Sequence, residues 1–302
     1  MSAKEITNTA VSVRQRLLNL ARKDQRPFNE LLQYYAMERF LYRLSQSEHK
    51  DQFVLKGAMM LKIWQSPESR PTMDIDFLGR TSNEKAAITA QIYDILAVAV
   101  EADGLIFNPA LIQTERITED ADYEGIRVCF RGKLDSARIH MQIDIGFGDI
   151  IFPAPKVSEL PTLLGSPAPQ LLCYSRESAI AEKLEAMVTL GQLNSRMKDF
   201  YDIWRLSRQF EFSGYNMAEA IRLTFEQRKT QIPDSVSAFG EEFVAIKQIQ
   251  WTAFHRRLQQ AHVPEDFADI VLAVRNFIEP LVVALSTGNG IPNHWTASDS
   301  WV

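Results

Sequence analysis

The sequence predicts an α+β fold, with a mixed sheet and flanking helices over residues 1–165 and a helical bundle over 166–302. Three observations carry this. Segments between residues 52 and 147 alternate apolar and polar side chains with the period of two of a half-buried strand. Beyond about residue 175 the apolar residues recur at helical spacing instead. Between the two patterns, residues 153–169 hold Pro153, Pro155, Pro161, Pro167 and Pro169 and read as a linker.

The elements follow in order. Val13, Leu17, Leu20 and Ala21 predict a helix over ~7–24. Pro27 suits the first turn of a second helix over ~27–46, with a buried stripe of Leu31, Leu32, Tyr35, Phe40, Leu41 and Leu44. Residues 52–56 read as a strand that ends at Gly57, where a helix over 58–64 starts. Thr72 to Leu78 reads as a strand with Asp74 and Asp76 on one face, and ~83–103 as a helix stopped at Gly104. Residues 126–130 and 137–147 are strands joined by a hairpin loop at 132–136, with His140, Gln142 and Asp144 sharing a face. Ser175 can cap a helix through Ile180, Leu184 and Met187, and 196–208 forms another. The tail from Gly288 reads as loop with an exposed Trp295 or Trp301.

Composition narrows the class. At 302 residues, 46% hydrophobic and 24% charged, the chain can bury a full core, and long disorder is not expected. Cys129 and Cys173 have apolar neighbours and are expected to be buried thiols in a reducing cytoplasm. The opening MSAKEITNTA has no apolar secretory core. Residues 270–285 are interrupted by Arg275, Asn276, Glu279 and Pro280, and are expected to be too short and too broken to cross a bilayer, so no membrane partner is expected. The net charge of -5 argues against broad, charge-driven nucleic-acid binding. It is unevenly spread. Residues 1–50 carry nine Lys and Arg against five Asp and Glu, whereas 51–165 carry eleven against seventeen. An acidic middle is what a carboxylate-lined metal site gives, although uneven surface charge gives it too.

The chemistry concentrates there. A strand ends at Lys56-Gly57, a helix begins at Ala58, Asp74-Ile75-Asp76 follows, and Asp144 lies on a later strand. A helix N-terminus offers unpaired N–H groups to phosphate, and glycine lets it approach. Aspartates two apart on a strand repel each other unless a divalent cation sits between them; oxygen ligands suit Mg²⁺. With a third carboxylate they form the arrangement in which metal ions activate a hydroxyl and stabilise a leaving pyrophosphate. Further on, Lys183 lies beside a buried helical stripe, and Arg196, Lys198, Asp199 and Asp202 cluster on the next helix. The plainer reading of Lys183, and of Lys198 with Asp202, is a surface pair one helical turn apart.

At these residues the sequence resembles the AbiEii family of nucleotidyltransferases, the toxins of type IV toxin–antitoxin systems, within the DNA polymerase beta-like superfamily. The resemblance runs from about residue 10 to 210. It rests on Lys56-Gly57-Ala58-Met59-Met60-Leu61, then Arg70-Pro71-Thr72-Met73-Asp74-Ile75-Asp76-Phe77, then Gln142-Ile143-Asp144-Ile145-Gly146, then Ala181-Glu182-Lys183-Leu184-Glu185, then Ser195-Arg196-Met197-Lys198-Asp199-Phe200-Tyr201-Asp202. It implies a nucleotidyltransferase-like mixed sheet and a helical domain over 166–302 that closes the nucleotide cleft. Asp74, Asp76 and Asp144 would be catalytic and hold Mg²⁺ or Mn²⁺, with Asp144 also able to take the acceptor's proton. Lys183 would meet phosphate, and Asp199 or Asp202 would be an essential acid. Lys56, Gly57, Ala58, Arg70, Arg196 and Lys198 would bind the nucleotide. One departure is Gly57-Ala58, where relatives often carry Gly-Ser or Gly-Gly.

The expected reaction moves a nucleoside monophosphate from NTP to an acceptor hydroxyl, in a cytoplasmic toxin or phage-defence protein with a cognate antitoxin as partner. By analogy the acceptor is RNA, at a tRNA 3′ end, met by Arg14, Arg16, Arg22, Lys23 and Arg26. The competing readings are a protein or small-molecule acceptor, a non-catalytic protein that binds nucleotide or antitoxin, and a carboxylate-metal phosphohydrolase.

Overall fold

The computed structural model describes residues 3–65, 72–119, 123–297 and 300–302. The chain is mixed α/β and divides into two compact units, one of residues 1–148 with 156–173, the other of 149–155 with 174–302.

The first unit opens with α1 (Ala3–Lys23) and α2 (Phe28–Gln46). Pro27 stands just outside α2, as its N-cap. The helix buries far more than the expected stripe, because α1, α4 (Lys85–Ala97), β5 (Ala137–Phe147) and β7 (Gln170–Cys173) all pack on it and leave residues 31–45 buried all round. The remaining strands are β1 (Phe53–Lys56), β2 (Ile75–Gly79), β3 (Leu105–Glu119), β4 (Tyr123–Leu134) and β6 (Lys156–Glu159). They form one seven-stranded sheet in the order β3-β4-β5-β2-β1-β7-β6. It is mixed: β2 runs parallel to β5 and β1 parallel to β7, and the other neighbours are antiparallel. The inward row of β5, Met141, Ile143 and Ile145, is fully buried, which fixes the opposite parity, Gln142 and Asp144, on the other face.

Several expectations are corrected. The proline-rich stretch contributes β6 as an edge strand; prolines flank the strand and do not interrupt its ladder. The helix predicted to 103 ends at Ala97, because Asp103 is drawn into a buried ion pair with Arg43 at 2.7 Å, with Arg39 at 3.4 Å. The 132–136 loop shrinks to a two-residue turn, Asp135-Ser136, with Asp135 at φ 52. Cys129 is only half-buried, on the polar side of β4, whereas Cys173 is buried.

The second unit holds α5 (Arg176–Leu190), α6 (Met197–Gln209), β8 (Phe212–Ser213), α7 (Gly214–Gln227), α8 (Glu241–Leu258), α9 (Phe267–Thr287), β9 (His294–Thr296) and β10 (Ser300–Trp301). Ser175 caps α5 as expected, its hydroxyl accepting from Ser178 N at 3.1 Å, which stabilises a helix by about 1 kcal/mol. Helix α9 runs 21 residues through Pro280 and is long and apolar enough to cross a membrane by length and composition, contrary to expectation. Phe267, Ile270, Val274, Phe277, Ile278 and Leu281 on it are buried, and it packs on α6, α7 and α8. The tail is not loose. Trp295 is 1% exposed and donates to Ser207 O at 2.7 Å, and Trp301 stacks on Phe277 at 5.6 Å. A short sheet β10-β9-β8 holds both tryptophans in place.

Candidate active site

Strand β1 carries Phe53, Val54, Leu55 and Lys56, all buried, and stops at Gly57. Gly57 has φ +71, a left-handed conformation that favours glycine. A β-carbon there would lie 1.8 Å from Asp76 Oδ2. The glycine is therefore needed to seat the Asp76 carboxylate. The segment after it is a 3-10 turn, Gly57–Met59, and a single α turn, α3 (Met60–Ile63). That is too short for a strong helix dipole, so the expected helix N-terminal phosphate cradle reduces to a turn. Ala58 is buried.

The strand register builds the rest. Lys56 is the cross-strand partner of Asp76, Asp76 of Asp144, Asp144 of Arg127, and Arg127 of Glu115. One row of charges thus crosses five adjacent strands: cation, two anions, cation, anion. Ile75 and Ile143 beside the aspartates are 0% exposed and pin both strands to the core. Asp74 precedes β2, in a bend where a strand was expected. Thr72 Oγ1 donates to Asp74 Oδ1 at 2.6 Å, and the Gln33 amide, from α2, donates to Met73 O at 3.0 Å and His140 O at 2.9 Å. These bonds hold the approach to Asp74 in place without strand pairing. Asp74, Asp76 and Asp144 each offer one oxygen within 4.8 Å of the others.

Asp144 is buried and accepts Arg127 Nε and Nη2 at 2.8 Å each, with Gln142 Nε2 at 3.2 Å. This bond holds the Arg127 guanidinium more firmly protonated, against some desolvation. Three carboxylates beside two cations, Lys56 and Arg127, leave the group one negative charge. An all-oxygen donor set with that residual charge fits a hard divalent cation. A second group, Glu48, His49 and Asp94, also brings ligand atoms within 4.8 Å, but Glu48 and Asp94 are exposed.

In the second unit, Lys183 Nζ lies 2.8 Å from Asp199 and 2.9 Å from Asp202, both nearly buried. The three residues form one knot between α5 and α6, so the expected surface pair of Lys198 with Asp202 gives way to Lys183 as the cation of Asp202. Lys198 is exposed, and Arg196 stands half-buried at the N-cap of α6. Nearby Arg228 ties Asp149 at 3.1 Å and Glu185 at 2.9 Å. Arg70 lies outside the described residues.

Of the N-terminal cations, Arg14 packs over Phe28, Arg16 donates to Leu164 O, and Arg26 pairs with Glu30; Arg22 and Lys23 are exposed. Sequence reasoning passed over Arg127, Gln33, Thr72 and Arg228. Only Arg127 had a local signal, its place on the polar parity of a strand paired with the Asp144 strand.

No curated protein matches the chain. Two crystal structures are similar. One, described as a candidate nucleotidyltransferase from H. pylori, is 15% identical over 83% of this chain and 94% of that chain, with a TM-score of 0.45. The other, JHP933 from Helicobacter pylori, is 15% identical over 83% of this chain and 92% of that chain, with a TM-score of 0.47. The family model for the nucleotidyl transferase AbiEii toxin of type IV toxin–antitoxin systems matches residues 39–273, most of the chain and all of the carboxylate row. The chain belongs to the AbiEii nucleotidyltransferase toxin family.

Proposed function

We propose that the chain transfers a nucleoside monophosphate from an NTP to an acceptor hydroxyl, with Mg²⁺ or Mn²⁺ held by Asp74, Asp76 and Asp144. The observation that carries this reading is the convergence of the three carboxylates within 4.8 Å, with Asp76 seated on Gly57. When bound, the ion supplies positive charge to the reacting phosphate and lowers the pKa of the attacking hydroxyl. The bond that forms joins the acceptor oxygen to the α-phosphorus, and the bond that breaks releases pyrophosphate. The acceptor proton passes to a carboxylate of the triad, with Asp144 as the candidate, or to water.

The remaining residues bind and orient. Lys183 meets a phosphate while Asp199 and Asp202 hold its ammonium group; Lys56, Gly57, Ala58, Arg70, Arg196 and Lys198 make up the rest of the nucleotide contacts. The acceptor is RNA, by family analogy a tRNA 3′ end. Of the N-terminal cations, Arg22 and Lys23 are best exposed for its phosphates. The setting is a bacterial toxin–antitoxin or phage-defence system in the cytoplasm, with an antitoxin as partner. The test is incubation with each labelled NTP, Mg²⁺ and total RNA. Label in RNA supports the whole reading, label in a protein or small molecule replaces the acceptor, and no labelled product with any NTP overturns it.

A further inference from the structure

We propose that Arg127 sets the divalent-ion affinity of the carboxylate triad, because it competes with the ion for Asp144 and has Glu115 as its other resting place. This rests on the metal-dependent reading of the triad. Both Asp144 oxygens are taken by the guanidinium at 2.8 Å, and Gln142 approaches one of them at 3.2 Å. The same carboxylate has an oxygen within 4.8 Å of its counterparts on Asp74 and Asp76. An ion that takes a remaining lone pair of Asp144 therefore shares one carboxylate charge with the guanidinium, and the two cations repel across it and weaken each other's hold.

The two partners differ in freedom. The Asp144 side chain is 9% exposed and Arg127 is 33% exposed, so the arginine is the one able to move. Its register explains where it goes. Glu115 on β3 is the cross-strand partner of Arg127 on the side away from Asp144, and it is exposed. A guanidinium leaving Asp144 stays on the same sheet face and meets a second carboxylate, so release does not strand an unpaired charge. Arg127 thereby keeps the three carboxylates compatible with one another before an ion arrives, and yields one of them afterwards.

The experiment is Mn²⁺ titration of the full chain, with free Mn²⁺ read by electron paramagnetic resonance, alongside thermal unfolding. Wild type and Asp76→Asn come first; binding in wild type that Asp76→Asn loses establishes the site. Arg127→Gln is then expected to bind Mn²⁺ about tenfold more tightly, the scale of removing one water-screened unit charge from beside a divalent ion. Arg127→Lys, which keeps the charge, is expected to stay within about twofold of wild type. Glu115→Gln removes the alternative partner and is expected to weaken binding by about threefold. It lies on an exposed strand position, so it carries the test should Arg127→Gln fail to fold. Unchanged or weaker binding in Arg127→Gln, or an unchanged Glu115→Gln, with Asp76→Asn still deficient, overturns the role of Arg127 alone. Equal binding in wild type and Asp76→Asn, or no binding in either, overturns the metal reading and this inference with it.

Discussion

The Asp144 carboxylate receives both arms of the Arg127 guanidinium, Nε on Oδ1 and Nη2 on Oδ2, each at 2.8 Å. Asp74, by contrast, is half-exposed and bonded by the Thr72 hydroxyl. The three carboxylates of the site should therefore differ in what they contribute to folding. Asp144→Ala removes the buried two-pronged partner of Arg127 and leaves it only the exposed Glu115, which should cost about 1–3 kcal/mol. Asp74→Asn removes one of three mutually repelling charges and should leave the unfolding midpoint unchanged or raised. Urea unfolding without divalent ions measures both; a larger loss in Asp74→Asn than in Asp144→Ala would count against this division.

Gly57 is fixed by two independent constraints, its φ of +71 and the 1.8 Å approach of Asp76 Oδ2 to any β-carbon placed there. Gly57→Ala should destabilise the fold by at least about 1 kcal/mol and push the Asp76 carboxylate off its seat. Loss of Mn²⁺ binding together with a lowered unfolding midpoint is the expected pair of results. A variant that binds the ion as wild type does would show that Asp76 does not need this seat.

Lys183 is the cation of two nearly buried aspartates, so its removal has a structural cost whatever its role. Lys183→Met alone should destabilise by about 3 kcal/mol, since two like charges are left together. Adding Asp202→Asn should recover part of that. The double variant then separates the two roles. If Lys183 meets the nucleotide, the rise in unfolding temperature on adding Mg²⁺ and NTP is lost even where stability returns. Retention of the full rise would reduce Lys183 to a packing ion pair.

Glu38 predicts a pH dependence. It is fully buried on α2, its Oε2 accepts Leu163 N at 2.8 Å, and among the described residues Oε1 has no partner. Burial, against help from the Leu163 N–H and Arg39, pushes its carboxyl up from 4.5 to about 7. The folded chain thus holds this proton more tightly than the unfolded chain. The Glu38 contribution falls as pH rises from about 4.5 to about 7 and is flat above, a loss of up to about 3 kcal/mol. Glu38→Gln keeps an acceptor for Leu163 and should be the more stable protein at pH 8, with the difference shrinking towards pH 4.5. A difference independent of pH would contradict this.

Much of the site was legible because its signals are local. Alternation put Asp76 and Asp144 on the polar faces of strands whose other face is apolar, and Lys56-Gly57 announced the end of a strand. The missing part was register. A hairpin loop of 132–136 sets Asp144 opposite residue 124, whereas the actual Asp135-Ser136 turn sets it opposite Arg127. Turn length fixes every cross-strand pair, so an error of three residues hid the strongest partner in the site. Lys183 with Asp199 and Asp202 was unreadable for a related reason: the partners lie on separate helices, and helical spacing predicts only neighbours one turn away. The all-round burial of α2 and the enclosure of Trp295 depend on what packs against them, which no local pattern records.

The most direct measurement compares wild type and Asp76→Asn in transfer of label from α-labelled NTP, with Mg²⁺ and total RNA, while following pyrophosphate. Labelled product and equimolar pyrophosphate are expected with wild type, neither with Asp76→Asn, and both are expected to be lost on adding a chelator. Equal labelling by the two proteins, or release of inorganic phosphate from the NTP with no labelled acceptor, would contradict it.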